Sequence, residues 1–190
     1  MASPSISATR LRELETLSGL PLEEHVLQEA AWSLIGLARD PTFLDTHVLP
    51  HLDEARYVRE WYVAHCWEGG EGSYSLQVFV WPPETRTQVH DHTSWGVFCC
   101  VVGTVLEERY ERLDDALQLN HARLKKAWQL AWNTEGGAST VLPGDGGIHR
   151  MGNSGHRTAI SIHLYGPRIG GLDGRDYDPS RDYVCDRFEG

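Results

Sequence analysis

The chain has 190 residues, 41% of them hydrophobic, which fits a single globular domain with a sizeable core. Its formal net charge of −10 at pH 7 disfavours nucleic acid and anionic membrane surfaces as partners. No apolar run approaches the ~20 residues of a membrane span, and the N-terminus lacks a signal-peptide pattern. We therefore expect neither a membrane segment nor export.

The cysteines are typical of reduced, buried thiols. Cys99 and Cys100 are adjacent within an apolar stretch, while Cys66 and Cys185 stand alone, and no CxxC spacing occurs. This usage predicts a reducing, cytoplasmic environment.

Residues 1–55 show helical periodicity. A first segment carries leucines at helical spacing, and a second amphipathic segment covers 22–39. The apolar side of the second segment comprises Val26, Ala30, Leu34 and Leu37. Residues 42–45 resemble a capping box that would open a short third helix at Thr42. We expect these helices to pack on one face of the domain that follows.

Residues 56–190 have the pattern of short strands separated by glycine-rich turns, which favours a barrel or double-sheet jelly roll within a single domain. The polar stretch 114–126 predicts a loop or short helix, and the tail beyond Gly170 has no clear period. The candidate strands are 57–67, 74–81, 87–92, 95–108, 127–132, 138–142 and 157–165.

Three histidines form a candidate metal site. His90 and His92 flank Asp91 at the end of a strand candidate, and alternate side chains of an extended chain share a face, so the two imidazoles point the same way and Asp91 points away. His149 follows the sharp turn Pro143-Gly144-Asp145, which can deliver a third imidazole into a β core.

These two elements resemble the two motifs of the cupins: an HxH before a strand that ends in a glycine, here Gly103, and PGDxxxHxxxN, matched from Pro143 to Asn153. Most cupins add a glutamate four or five residues after the HxH, where this chain has Gly96 and Val97. A three-histidine cupin that also carries Ile-Ser-Ile-His-Leu-Tyr resembles the thiol dioxygenases, namely cysteine dioxygenase and its bacterial 3-mercaptopropionate dioxygenase relatives. The resemblance covers roughly residues 57 to 170 and implies a mainly β cupin double-stranded β-helix (a jelly-roll barrel) with N-terminal α-helices.

The strand 158–165 carries a second pattern. Ile160, Ile162 and Leu164 alternate with Ser161, His163 and Tyr165, so one face is apolar and the other bears hydroxyl, imidazole and phenol in a row. Such a face is either solvated or, if buried, needs hydrogen-bond partners. The resemblance implies that Ser161, His163 and Tyr165 form a catalytic set beside the metal.

The resemblance also implies iron(II) at His90, His92 and His149, although histidine ligation alone suits several metals. Three neutral imidazoles leave a divalent ion with its full charge, and we expect no carboxylate nearby that could substitute for a lost ligand. Such a centre favours an anionic ligand such as a thiolate or an enolate. The implied reaction adds both atoms of O2 to the sulfur of a small thiol. Alternatives are a three-histidine dioxygenase of a β-dicarbonyl compound and a non-catalytic cupin sensor of metal or ligand.

Two departures from animal cysteine dioxygenase bear on the substrate. Val97 replaces the cysteine that crosslinks to the tyrosine, and Ala64 or His65 replaces the arginine that binds the cysteine carboxylate. The bacterial relatives use an arginine after the tyrosine, for which Arg168 and Arg175 are the candidates here. We therefore expect a mercapto-carboxylate such as 3-mercaptopropionate as the substrate.

Overall fold

Two antiparallel β-sheets face each other in the computed structural model, and helices cover the outer side of one sheet. The structure describes residues 8–70, 73–167 and 172–188. The predicted fold class, a mainly β jelly-roll barrel of the cupin type with N-terminal helices, is confirmed.

The helices precede all the strands. They are α1 (Ala8–Ser18), α2 (Glu24–Ala38), α3 (Pro41–His47) and α4 (His51–Glu54). The predicted capping box at Thr42 is wrong: Asp40 is the N-cap of α3, and its side chain accepts hydrogen bonds from the backbone N–H groups of Thr42 and Phe43. Pro41 occupies the first turn, where its missing N–H has no cost.

Eleven strands are described: β1 (Tyr62–Glu68), β2 (Ser75–Trp81), β3 (Val89–His90), β4 (Gly96–Val102), β5 (Thr104–Arg112), β6 (Leu124–Asn133), β7 (Ser139–Val141), β8 (His149–Gly152), β9 (Ala159–Tyr165), β10 (Leu172–Asp178) and β11 (Tyr183–Phe188). The five-stranded sheet has the order β1-β2-β9-β4-β7, and the six-stranded sheet has the order β11-β10-β3-β8-β5-β6.

Several strand boundaries differ from the sequence prediction: β6 begins at Leu124, inside the stretch predicted as a loop or short helix, and β8 was not among the candidates. Two further differences change the topology. The candidate 95–108 is two strands, because the chain turns at Gly103, whose φ of +71° is one that side-chain-bearing residues rarely adopt. The tail, which showed no period, forms the hairpin β10–β11 and extends the six-stranded sheet beside β3. Its strands carry many charged residues and pair through their backbones, and Tyr177 and Val184, which join a buried apolar cluster, are too few to show an alternation.

The main core lies between the helices and the five-stranded sheet. Val26, Ala30, Leu34 and Leu37 of α2 are buried there, as the helical period predicts. The apolar face of β9 lies in the same cluster, with Ile160, Ile162 and Leu164 each 0% exposed. Burial of one strand face against α2 turns the other face of β9 towards the interior between the sheets.

None of the helices in the described part of the chain is long and apolar enough to cross a membrane.

Candidate metal centre

His90, His92 and His149 lie together in the interior, 5%, 7% and 2% exposed. Each offers a ring nitrogen, and the three nitrogens lie within 4.8 Å of one another. His90 on β3 is the direct cross-strand neighbour of His149 on β8, which places their ring centroids 4.6 Å apart. Only Val89 and His90 of the predicted strand 87–92 are in a strand, so His92 reaches the site from the loop that follows.

The loop before His149 is tied to the loop that carries His92. Gly144 donates its backbone N–H to the carbonyl oxygen of His92 at 2.8 Å. Gly147 permits the tight turn, since a Cβ there would lie 1.9 Å from the carbonyl oxygen of Leu142. Residues 143–149 therefore place the third imidazole and also hold the second.

The hydrogen bonds of the three rings fit a metal. His149 Nδ1 lies 3.1 Å from Glu107 Oε1, and His90 Nδ1 lies 3.0 Å from the carbonyl oxygen of Gln88. Both partners accept, so each Nδ1 carries the proton and each Nε2 is left with its lone pair. His92 Nε2 and His149 Nε2 are 3.2 Å apart. Two nitrogens about 2.1 Å from one ion at tetrahedral or octahedral angles are separated by about 3.0–3.4 Å.

A buried carboxylate, Glu107, lies behind the histidine cluster, hydrogen-bonded to one of the three rings. Glu107 on β5 is 0% exposed, and besides His149 it accepts hydrogen bonds from Ser139 Oγ at 2.8 Å and Trp132 Nε1 at 3.0 Å. Arg109 Nε donates to the same carboxylate at 2.7 Å. Burial alone would raise the pKa of Glu107, but the hydrogen bond from His149, the charge of Arg109 and the Ser139 hydroxyl lower it overall.

Asp91 points away from the histidines, as strand alternation predicts, but into a buried ion pair. It is 1% exposed and accepts hydrogen bonds from the backbone N–H and the Nε of Arg175 and from the hydroxyl of Tyr177. Burial and the neighbouring negative charge of Asp91 raise the pKa of Tyr177, which stays a neutral donor. Two residues of β10, Arg175 and Tyr177, therefore hold Asp91 in place between the two histidines.

A hydrogen-bonded chain runs along the inner face of β9. Trp81 Nε1 donates to Ser161 Oγ at 2.8 Å, Ser161 Oγ is 2.7 Å from His163 Nε2, and His163 Nδ1 is 3.1 Å from the hydroxyl of Tyr165. The ring of Tyr165 lies 5.0 Å from that of His92, centroid to centroid. The chain of donors and acceptors thus ends beside the histidine cluster. Trp81 is a member that the sequence pattern did not single out.

His163 is held as a neutral ring. It is 2% exposed and lies between two aromatic rings, with centroids 4.3 Å from Phe79 and 5.2 Å from Phe98. Burial, reinforced by the nearby His149, lowers the pKa of His163 to about 3, while Glu107 partly opposes this shift. A neutral imidazole can accept at one nitrogen and donate at the other, as a relay between Ser161 and Tyr165 requires.

The cross-strand neighbour of Tyr165 on β4 is Gly96. A Cβ at Gly96 would lie 2.9 Å from the Tyr165 ring, so the phenol packs directly on this glycine. Val97, one residue along, is buried on the helix side, and Cys100 lies opposite Ser161. Burial raises the pKa of Cys99 to about 12 and that of Cys100 to about 11, which keeps both as thiols.

The residues considered for a substrate carboxylate are placed as follows. Arg168 lies outside the described residues. Arg175 is half-buried near His92, and its Nη2 donates to Asp145 at 2.6 Å in addition to its bonds with Asp91. In the early strand, β1 bulges between Val63 and His65, and the His65 ring packs on the helix side against Trp67.

Three buried imidazoles inside a two-sheet barrel define a histidine-centred cupin. The family model for cysteine dioxygenase type I matches residues 44–177. The chain belongs to this family, which confirms the resemblance drawn from the motifs.

Solved structures, two of them of proteins described as cupins, are similar at low identity. A cupin 2 conserved barrel protein from Salinispora arenicola CNS-205 is 10% identical, with a TM-score of 0.39 over 55% of this chain and 72% of that one. The protein TT1209 from Thermus thermophilus is 18% identical, with a TM-score of 0.41 over 62% and 96%. The Cnp3 cupin domain of Schizosaccharomyces pombe is 13% identical, with a TM-score of 0.43 over 60% and 66%.

Proposed function

We propose that this protein is an iron(II) thiol dioxygenase that converts a small thiol and O2 to the corresponding sulfinate. The carrying observation is the convergence of three buried imidazoles next to the hydrogen-bonded chain that ends at Tyr165. Family membership supports the same chemistry. The reaction balances as RSH + O2 → RSO2H: both oxygen atoms go to sulfur, which loses four electrons, and the proton remains on the product.

His90, His92 and His149 would hold the iron, each through Nε2, as the hydrogen bonds of His90 and His149 at Nδ1 favour. Bound iron would supply sites for the thiolate and for dioxygen and would lower the pKa of the thiol. Three protein ligands leave open positions for both reactants.

Tyr165 is the group of the chain proposed to touch the reactants. If Trp81 donates to Ser161, then Ser161 can donate to His163 and His163 to the oxygen of Tyr165. In that direction the phenolic proton of Tyr165 is left to point into the site. His163 and Ser161 would then set the direction of this donor, while the packing on Gly96 fixes the ring.

We propose a mercapto-carboxylate, such as 3-mercaptopropionate, as the substrate. Ala64 and His65 offer no guanidinium in the early strand. Arg168 or Arg175, which follow Tyr165 in the sequence, would bind the substrate carboxylate instead. The planar guanidinium group suits two parallel hydrogen bonds to a carboxylate. Arg175 already pairs with Asp91 and Asp145 through Nε and Nη2, so a substrate carboxylate would have to use Nη1 or displace Asp145, the more exposed of the two carboxylates.

The proposed setting is the reducing cytoplasm. The four cysteines are all free thiols, which supports this assignment. The expectation that they are buried is wrong for Cys66, which is exposed, whereas Cys99 and Cys100 are buried.

Oxygen consumption by the iron-loaded protein tests the function. We expect uptake with 3-mercaptopropionate above that with L-cysteine or cysteamine, no uptake with acetylacetone, and one sulfinate formed per O2. His90→Ala, His92→Ala and His149→Ala should each lose iron and activity, whereas His156→Ala, at an exposed histidine, should keep both. Uptake with acetylacetone alone would indicate a β-dicarbonyl dioxygenase, and iron binding without turnover of any compound would indicate a sensor.

Substrate preference is tested with the arginines. Arg168→Ala or Arg175→Ala should raise KM for the mercapto-acid and change KM for cysteamine less. A highest kcat/KM for L-cysteine, or wild-type kinetics in both variants, would contradict the proposed carboxylate clamp but not the dioxygenase assignment.

A further inference from the structure

Glu107 is a buried carboxylate that the proposed reaction does not use. It lies on β5, 0% exposed, with donors from three other strands around it: His149 on β8, Trp132 on β6 and Ser139 on β7. A buried carboxylate is costly unless it is paired, and here a hydrogen bond to a candidate metal ligand is part of the pairing.

We propose that Glu107 is a positioning residue for the metal centre, which holds His149 with Nε2 towards the ion and raises the electron density on that nitrogen. This inference rests on the metal site of the proposed function. A carboxylate can only accept, so the proton of His149 is fixed on Nδ1 and the ring plane is fixed by the Nδ1–Oε1 contact of 3.1 Å. Carboxylates that hydrogen-bond a ligand histidine orient the ring and increase its basicity.

The three imidazoles are therefore not equivalent. His90 donates to the carbonyl oxygen of Gln88, a neutral acceptor, whereas His149 faces a carboxylate. Arg109 offsets part of the charge, with its Nε 2.7 Å from the same oxygen that His149 contacts. The negative charge nonetheless lies one hydrogen bond from a ligand in a buried site, where electrostatic interactions are weakly screened. It should stabilise the ferric more than the ferrous ion.

Glu107 also joins the two sheets, and this role has to be separated from the first. Ser139 belongs to the five-stranded sheet, and Glu107 to the six-stranded one. Arg109 also bridges this seam, the boundary between the two sheets at β5 and β7: its Nη2 donates to Ser139 Oγ and to the carbonyl oxygen of Thr140. Loss of Glu107 could thus loosen the barrel without any effect specific to His149.

The chain offers matched controls for both roles. Glu108, the next residue, is 7% exposed and projects from the opposite face of β5, where Lys126 Nζ, Arg150 and Tyr110 donate to it. Glu108→Gln removes the same charge from the same strand on the side away from the histidines. Ser139→Ala removes a hydrogen bond across the seam and leaves the contact between Glu107 and His149.

The test compares Glu107→Gln, Glu108→Gln and Ser139→Ala with the wild-type full-length protein. Iron(II) affinity is measured by competition with a chelator, and the Fe(III)/Fe(II) midpoint potential by redox titration. Glu107→Gln should bind iron about 10–100-fold more weakly and shift the potential to more positive values. Glu108→Gln and Ser139→Ala should stay near wild type in both. Glu107→Asp, which keeps the charge, should restore part of the affinity and serves if the glutamine variant does not fold.

Wild-type affinity and potential in Glu107→Gln would overturn the inference, and so would equal shifts in Glu107→Gln and Ser139→Ala. Thiol-dependent oxygen uptake by the wild type, measured in parallel, separates this result from the proposed function. If the wild type oxidises thiol but Glu107→Gln keeps the wild-type iron affinity and midpoint potential, only the role of Glu107 is contradicted. If the wild type binds iron without thiol-dependent oxygen uptake, only the dioxygenase assignment is contradicted. A wild-type chain that binds no iron contradicts both.

Discussion

His163 should make the stability of the folded chain dependent on pH. The ring is buried between Phe79 and Phe98, and burial with the nearby His149 lowers its pKa to about 3 from an ordinary 6.5. Below pH 6.5 the unfolded chain takes up a proton that the folded chain does not accept until about pH 3. The contribution is therefore complete above about pH 6.5 and is lost as the pH falls through this window.

The magnitude follows from the two pKa values. At about pH 5, the unfolded state gains about 2 kcal/mol from protonation of this one imidazole, whereas at about pH 7.5 it gains about 0.1 kcal/mol or less. The free energy of unfolding should thus fall by about 2 kcal/mol between these pH values on account of His163 alone. That is a substantial part of the 5–15 kcal/mol typical of a folded domain.

Urea unfolding followed by tryptophan fluorescence measures this loss. The protein is kept metal-free with a chelator at both pH values, because proton competition for ligand histidines would add its own pH dependence. His163→Gln should be less sensitive to pH than wild type by about 2 kcal/mol. His156→Gln is the matched control and should keep the wild-type dependence, since that side chain is exposed in the folded chain as well. Equal pH dependence in His163→Gln and wild type would refute the reasoning.

Three further predictions concern Tyr165 and Asp91. Tyr165→Phe should keep its iron but lose about 10²–10⁴-fold in kcat with the best thiol, the usual effect of removing a positioned proton donor, and an unchanged kcat would remove the phenol from the mechanism. Peptide mapping should recover Tyr165 without a thioether crosslink, because Gly96 is its cross-strand neighbour, so a deficit of two hydrogens on a Tyr165–cysteine pair would contradict the strand register. Asp91→Asn should lower the free energy of unfolding by about 2–4 kcal/mol, since Arg175 would lose its buried partner and keep only Asp145; denaturant midpoints equal to wild type would show that the pair is dispensable.

Local patterns in the sequence were enough to identify the elements that carry the site. Period-2 alternation put His90 and His92 on one face and the apolar side of β9 opposite His163, and the helical period marked the buried side of α2. The sharp turn at residues 143–147 predicted that His149, two residues after it, enters the β core as the third imidazole. Strand alternation, helical periodicity and turn formation depend only on residues close to one another along the chain, so they can be predicted from the sequence alone.

The partners of these residues were decided only by the tertiary structure. Alternation requires Glu107 and Glu108 to point to opposite faces of β5, and that signal could have indicated that one of them faces the interior between the two sheets. It could not tell which one, nor that His149, 42 residues away, would meet it. The same holds for Arg175, which resembles a loop arginine until the pairing of β10 with β3 brings it to Asp91, 84 residues earlier. Sequence periodicity fixes the face on which a side chain lies, but the register between distant strands determines what it touches there, and that register is set by the packing of the whole barrel.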